Sequence, residues 1–294
     1  MEYNIIMPVA YKDYNFLNKI IRFVQAFLCP QKIYIITEIR LKRLLPVSVR
    51  HNQNVIILDE NSLCPGLTYK SVQSLLFKHG CVKLNPGWFL QQFLKYAFAQ
   101  SEFCDTEYYL SWDADTIPLS SINFFDRENN PLFTIKKEHH QPYFDTISNL
   151  FRSPNIADHS FIAEHMLFNK LVVQKLIDTI NNSGIKGDTW FEQIINATNP
   201  AEPNSFSEFE TYGTYCYNYH PNMYKSRTLN TFRRGGLIAG RFISDKLLQK
   251  LSIDLDIISF EISDYPCGVE HTFAWLYEKY IKGKGRIIKK IIRQ

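Results

Sequence analysis

The sequence predicts an α/β fold on a central, mostly parallel sheet with helices on both faces. Two observations carry that expectation. Up to Leu119, short apolar runs of strand length alternate with longer amphipathic stretches of helical period, which is the signature of βαβ construction. With 294 residues, 45% hydrophobic and 21% charged, the chain can also bury the core that such a sheet needs.

In order, Asn4–Val9 is the first strand, an apolar run closed by a loop carrying Lys12 and Asp13. Phe16, Ile20, Phe23, Val24 and Phe27 recur at helical spacing, and Pro30 closes that helix. Lys32–Thr37 and Asn54–Leu58 follow as strands, Ser71–Phe77 and Trp88–Ala99 as helices. The fourth strand, Tyr108–Trp112, ends in two carboxylates one residue apart, Asp113 and Asp115, and Pro118 is expected to stop ladder pairing. Beyond Leu119 the rhythm loosens. Pro131–Lys136 reads as a strand, Leu171–Ile180 and Thr189–Ala197 as helices, and 199–204 as a loop. Phe206–Tyr219 reads as an aromatic-rich helix, Ile253–Ile262 as a late strand and Gly268–Ile281 as a closing helix. No internal repeat divides the chain, which reads as one domain in two halves, 1–119 and 120–278, with a basic tail at 279–294.

Composition excludes several classes. A net charge of +4 gives no basis for general nucleic-acid binding. Six cysteines without a CxxC pair exclude a zinc ribbon and a small disulfide scaffold, leaving reduced thiols in the cytoplasm as the expectation. No signal peptide is expected at Met1–Val9, and no apolar run reaches the ~18 residues of a membrane span. The tail interleaves Lys279, Lys282, Lys284, Arg286 and Lys289 with isoleucines. Such a segment either docks on anionic lipid as a peripheral contact or packs its isoleucines on the body. Aromatics reach 15%, with 17 Tyr and 22 Phe, which suits core or carbohydrate contact alike.

The chemistry concentrates at Asp113 and Asp115. A strand that delivers two acids to its C-terminal end places them where open α/β sheets bind ligands. Two hard oxygen donors this close suit Mg²⁺ or Mn²⁺ with positions left for phosphates. Upstream, Trp88, Gln91, Gln92 and Lys95 share one helical face, which fits a base and a phosphate, or an ordinary surface helix. Downstream, Asp158, His159, Glu164 and His165 are candidates to bind acceptor hydroxyls or shuttle a proton. Ser207 is a helix cap with Glu208 and Glu210 in the first turn, where the dipole favours acids. Arg227, Arg233 and Arg234, followed by Gly235-Gly236, form either a flexible cationic patch for a diphosphate or a solvated loop.

Trp112-Asp-Ala-Asp115 resembles the DxD motif of glycosyltransferases with the GT-A fold. Together with Gly87-Trp88, Gln92, Lys95, Glu164-His-Met-Leu-Phe168 and Ser207-Glu-Phe-Glu-Thr-Tyr-Gly213, the chain is similar to a little-characterised group of bacterial and viral DxD glycosyltransferase-like proteins, from about Ile5 to about Gly236. The resemblance implies a Rossmann-like GT-A sheet, a nucleotide-sugar donor (a UDP-sugar favoured) bound by the first half, and a glycan or lipid-linked acceptor in the second. Asp113 and Asp115 would hold Mn²⁺ or Mg²⁺ against the diphosphate, with Trp112 and Ala114 fixing the strand end. Val9, Ala10, Tyr11 and Asp13 stand where the family meets base and ribose, although Asp13 also suits a helix cap. Glu208, then Glu210, match the place of a catalytic base, and His220 or His271 that of a third metal ligand. Neither the sugar nor the stereochemical outcome is implied. Two rivals stay open. One is a haloacid-dehalogenase-like phosphatase with Asp113 as nucleophile, although Thr116 stands one position early for that motif. The other is a non-catalytic sugar-binding protein of GT-A type.

Overall fold

The computed structural model describes residues 1–152, 154, 156–261 and 264, and after these 272, 275–276, 279–281 and 283–284. Strand β1 (Tyr3–Pro8) is wholly buried and leads into helix α1 (Tyr14–Leu28). Leu17, Ile20, Ile21, Val24 and Leu28 recur every three or four residues and bury one face. Cys29 ends α1 in the left-handed conformation (φ 46°), and Pro30 cannot extend it. Strand β2 (Ile33–Thr37), a short α2 (Val47–Arg50) and β3 (Val55–Asp59) follow. Thr68 and Ser71 form a reciprocal capping box that starts α3 (Tyr69–Lys78). Pro86 sits in the first turn of α4 (Pro86–Ala97), where its missing N–H costs nothing.

Strand β4 (Tyr108–Trp112) pairs parallel with β1, and β1 with β2, so the order β3-β2-β1-β4 reverses direction between β1 and β4. Contrary to expectation, Pro118 does not end pairing. It lies within β5 (Thr116–Pro118), the edge of a second, three-stranded sheet, which is where a proline's missing donor is tolerated. Next comes β6 (Leu132–Thr134), within the strand expected over Pro131–Lys136, and then α5 (Gln141–Phe151), a helix that was not expected. His165–Asn169 forms β7, antiparallel to β4 with Trp112 opposite His165, and closes the main sheet. It too was unforeseen as a strand.

Side-chain caps start the next three helices: Asn169 for α6 (Lys170–Asn181), Thr189 for α7 (Trp190–Ala197) and Ser207 for α8 (Glu208–Tyr219). Strands β8 (Lys225–Arg227) and β9 (Thr231–Phe232) then precede α9 (Gly236–Ala239) and α10 (Asp245–Leu251). Strand β10 (Ile257–Ser259) joins β5 to β9, while β6 and β8 make a separate parallel pair. Of the closing helix expected over Gly268–Ile281, positions 272, 275–276 and 279–281 are helical; most of the tail lies outside the described residues. Among the described residues no helix is long and apolar enough to cross a membrane.

The sheet separates two cores, as strand alternation requires. Ile6, Tyr34, Ile36, Tyr109 and Phe168 face the helical layer of α3 to α8. Ile5, Ile33, Ile35, Leu110 and Leu167 face α1, α10 and the β5–β10 sheet. Both cores draw on residues before and after position 119, so the two halves pack as one α/β body. Gly213 shows how close the packing is. A Cβ added there would lie 2.1 Å from the Phe161 ring. Gly213→Ala should therefore cost about 1–3 kcal/mol despite alanine's better helix propensity, and an unchanged or raised melting temperature would refute the close approach.

Candidate active site

The two acids stand at the C-terminal end of β4, beside the loop that leaves β1. The Asp113 N–H donates to the Glu164 carbonyl at 3.1 Å, which carries the β4–β7 ladder one residue further. Thr116 N–H then donates to the Asp113 carbonyl at 3.1 Å, and Trp112 Nε1 to the Thr116 carbonyl at 2.9 Å. Trp112 is fully buried and stacks on His165 at 5.2 Å. Trp112 and Ala114, grouped with the donor contacts from sequence, thus have buried side chains and serve to fix the strand end.

The main feature is a buried lysine. Lys95 Nζ donates to Asp113 Oδ1 at 2.9 Å and to Glu208 Oε1 at 2.6 Å, and lies 4.0 Å over the Phe209 ring. Its side chain is 3% exposed, that of Glu208 5% and that of Asp113 28%. The surroundings hold α4 and α8 together. Gln92 Oε1 accepts from Glu208 N–H at 3.1 Å, Tyr96 donates to the Glu208 carbonyl at 2.6 Å, and Tyr109 to the Lys95 carbonyl at 2.9 Å. The shared face of α4 thus forms as expected for Gln92 and Lys95, but both point into protein. Gln91 and Trp88 are half-buried, with Trp88 near-parallel to Tyr143 of α5 at 6.5 Å.

Charge explains the behaviour of these groups. Burial lowers the Lys95 ammonium, but Asp113 and Glu208 outweigh it and hold the lysine above its ordinary value. Burial raises Asp113 to about 6; Asp115 pushes the same way while Lys95 opposes. Asp115 is half-buried, and its carbonyl accepts from Phe260 N–H at 2.8 Å. Two neighbouring acids with a repulsive coupling fit a small divalent cation that keeps positions for phosphate and water. No third side chain joins them: among the described residues no three His, Cys, Asp or Glu groups gather as a ligand set. His220 sits past the far end of α8, about 18 Å along the helix from Glu208, too far to share a metal with Asp113. His271 lies outside the described residues.

The loop after β1 borders the acids. Val9 is buried, Ala10 exposed and Tyr11 half-buried, edge-on to Tyr14 at 5.4 Å. Asp13 makes no capping bond. It pairs with Arg241 at 2.7 Å instead, and burial raises its carboxyl, with Arg241 opposing and Asp115 adding to the rise. Arg241 also donates to the Phe260 and Lys12 carbonyls, tying the loop to the strand that supports Asp115.

Glu164 Oε1 accepts from Lys136 at 2.7 Å and lies 3.5 Å from both Arg233 Nε and Thr231 Oγ1, whereas its Oε2 is buried without a partner among the described residues. Arg233 also pairs with Glu138 at 2.9 Å and feels the charge of Asp113. Arg234 is mostly exposed and 3.5 Å from Asp264. At Gly235-Gly236, expected to follow the arginines in a flexible patch or a solvated loop, the backbone is closely packed. A Cβ would lie 2.6 Å from Ile258 at Gly235 and 2.5 Å from Asp264 at Gly236, so both glycines permit close packing. Arg227 lies over Phe124 and donates to the Asn123 carbonyl.

Two expected catalytic candidates face inward. His165 is 3% exposed, packed on Trp112 and Phe124 and bonded to Thr134 at 2.9 Å, and burial lowers its basicity well below the usual range. Glu210 is fully buried; its Oε2 accepts from Ser160 Oγ at 2.5 Å and Phe161 N–H at 3.2 Å. Burial raises the Glu210 carboxyl above 4.5, with the Ser160 and Phe161 bonds opposing. The folded state then keeps a proton that the unfolded chain has lost. This contribution to stability is full below the unfolded value and fades as pH rises through the folded one. Denaturation from about pH 4 to pH 7 should show the wild type losing stability relative to Glu210→Gln as pH rises; a constant difference would contradict it.

Four contributors carried no local signal: Lys136, Glu138, Arg241 and Tyr143. Tyr143 is half-buried and raised to about 12 by burial, with Glu208 adding and Arg233 opposing, which places its phenol in the field of both.

The chain belongs to DUF6492, a family of unknown function whose model matches residues 9–234. No curated protein matches it by sequence. Among solved structures it is similar to the galactosyltransferase LgtC in complex with donor and acceptor sugar analogs, at 12% identity over 96% of this chain and 95% of that one, with a TM-score of 0.44. It is also similar to mouse xyloside xylosyltransferase 1 in its apo form (12% identity, 91% and 99% covered, TM-score 0.44). A third is the apo glycosyltransferase GlyE of Streptococcus pneumoniae TIGR4 (11% identity, 95% and 60% covered, TM-score 0.41). Scores and identities this low transfer neither a fold name nor an activity.

Proposed function

We propose that this member of the family transfers a glycosyl group from a nucleoside diphosphate sugar to a hydroxyl of a glycan or lipid-linked acceptor, on a sheet of GT-A type. One observation carries the reading. The strand order reverses between β1 and β4, and the crevice at such a switch point is where open α/β sheets take ligands. Here that crevice has the Val9–Asp13 loop on one side and Asp113 and Asp115 on the other.

In this reading the nucleoside rests on the loop after β1, with Tyr11 beside the base. Asp113 and Asp115 would hold Mn²⁺ or Mg²⁺, which when bound supplies neutralisation of the leaving diphosphate's charge. Arg233 adds a cation from the other side, oriented by Glu138 and Glu164. Lys95 fixes one oxygen of Asp113, leaving the other to face the ligand, and ties that acid to Glu208. Glu208 is our first candidate to orient or deprotonate the acceptor hydroxyl, with Glu164 second; we rank Glu210, whose carboxylate is engaged by Ser160 and Phe161, and His165, stacked on Trp112, behind them. The basic tail at 279–294 extends the proposal to peripheral contact with anionic membranes, which vesicle pelleting of a chain cut after Tyr280 would probe.

The experiment is a panel of nucleotide sugars with and without Mn²⁺, following thermal shift and release of the nucleoside diphosphate. Metal-dependent stabilisation with release supports transfer. Phosphate release from small phosphoesters without a nucleotide response would instead support the phosphatase, with Asp113 as nucleophile.

A further inference from the structure

A cleft of about 680 Å³ opens beside Glu164, between the segment that follows β6, the 158–159 loop and the 228–233 segment. None of the donor contacts proposed above lines it except Arg233. We infer that this cleft is the acceptor subsite and that it takes an uncharged, hydroxyl-rich sugar terminus; the inference rests on the glycosyl-transfer reading for its role, though not for its ligand chemistry.

Charge balance decides the ligand class. Three cations line the cleft, Lys136, Lys137 and Arg233, against three anions, Glu138, Asp158 and Asp254. Most are already matched. Arg233 bonds Glu138 at 2.9 Å, His159 bonds Asp158 at 2.8 Å, and Lys136 bonds Glu164 behind the wall at 2.7 Å. Lys137 and Asp254 are exposed and among the described residues carry no side-chain partner, one of each sign. A phosphate or carboxylate entering here would meet as much repulsion as attraction. A neutral polyol instead donates to the acids and accepts from the lysines without breaking a pair. Ile135, Leu229 and Leu255 supply apolar surface for the C–H face of a sugar ring.

Position joins the cleft to the chemistry. Lys136, Thr231 and Arg233 line it and all reach Glu164 Oε1, while the Glu164 carbonyl holds the Asp113 N–H. One residue thus separates the cleft from the acids at the end of β4.

The test is ligand-observed NMR on the full chain at millimolar probe, with methyl glycosides of neutral hexoses against the matching 6-phosphates and glucuronides. Mn²⁺-dependent UDP binding is measured in parallel. Thr228→Trp and Asn230→Trp change exposed cleft side chains outside the donor machinery, and their melting temperatures check folding. The expected result is binding of a neutral glycoside, preference over its charged counterparts, and a loss on the order of tenfold in either variant with UDP binding unchanged. Preference for the anionic probes, full binding in both folded variants, or no signal from any neutral glycoside overturns the inference. Loss of UDP binding by the wild type strikes the donor reading instead, and leaves the glycoside result to be read on its own.

Discussion

Lys95→Met is expected to destabilise the protein by about 3–5 kcal/mol, because removing one partner of a buried ion pair strands the other. The lysine is almost wholly enclosed and bridges Asp113 and Glu208. Without it Glu208, 5% exposed, has lost its cation, and α4 and α8 lose one of their polar links, those from Gln92 and Tyr96 staying. The melting temperature should fall on the order of 10 °C. Glu208→Gln in the Lys95→Met background should restore part of that loss, since the stranded charge is then gone. A fall of less than about 2 °C, or a double variant that simply sums the two losses, would show that the bridge contributes nothing.

Asp113→Asn should act on binding more than on the fold. The carboxylate, raised to about 6 by burial and by Asp115, is an unfavourable charge where no metal cation offsets it. Neutralising it removes that repulsion, while Lys95 keeps Glu208. The apo melting temperature should hold or rise slightly. Mn²⁺-dependent nucleoside diphosphate binding should weaken on the order of 100-fold or more, beyond the usual cost of altering a supporting residue. Titration calorimetry with UDP, with and without Mn²⁺, reads both; equal affinity in variant and wild type would remove Asp113 from the metal site.

Much of the first half was legible because its signals are local. The apolar runs of β1, β2 and β4 are continuous, as strands buried on both faces must be, and α1 repeats its apolar residues at helical period. The acids after Trp112 were visible for the same reason. His165–Asn169 was not seen as a strand because five apolar and polar residues without a turn signal fit several conformations. Only pairing with β4, more than fifty residues earlier, selects one. Pro118 misled in a similar way: a proline forbids a central strand, but the edge position it occupies depends on Ile257–Ser259. Within the site, Gln92, Lys95 and Glu208 were singled out from sequence, yet not their mutual bonds. His165 was grouped with Glu164 because 165–169 was not read as a strand, so the inward direction of its first side chain, against Trp112, was not visible. Arg241 and Lys136 are tied to Asp13 and Glu164 only through the tertiary fold.

The most direct measurement is anomalous diffraction near the manganese absorption edge from crystals grown with Mn²⁺ and UDP. The result expected is one peak contacted by both Asp113 and Asp115, with the diphosphate on its open side and the uridine on the Val9–Asp13 loop. A metal bound elsewhere, or a nucleotide lying outside the crevice between the ends of β1 and β4, would contradict the reading.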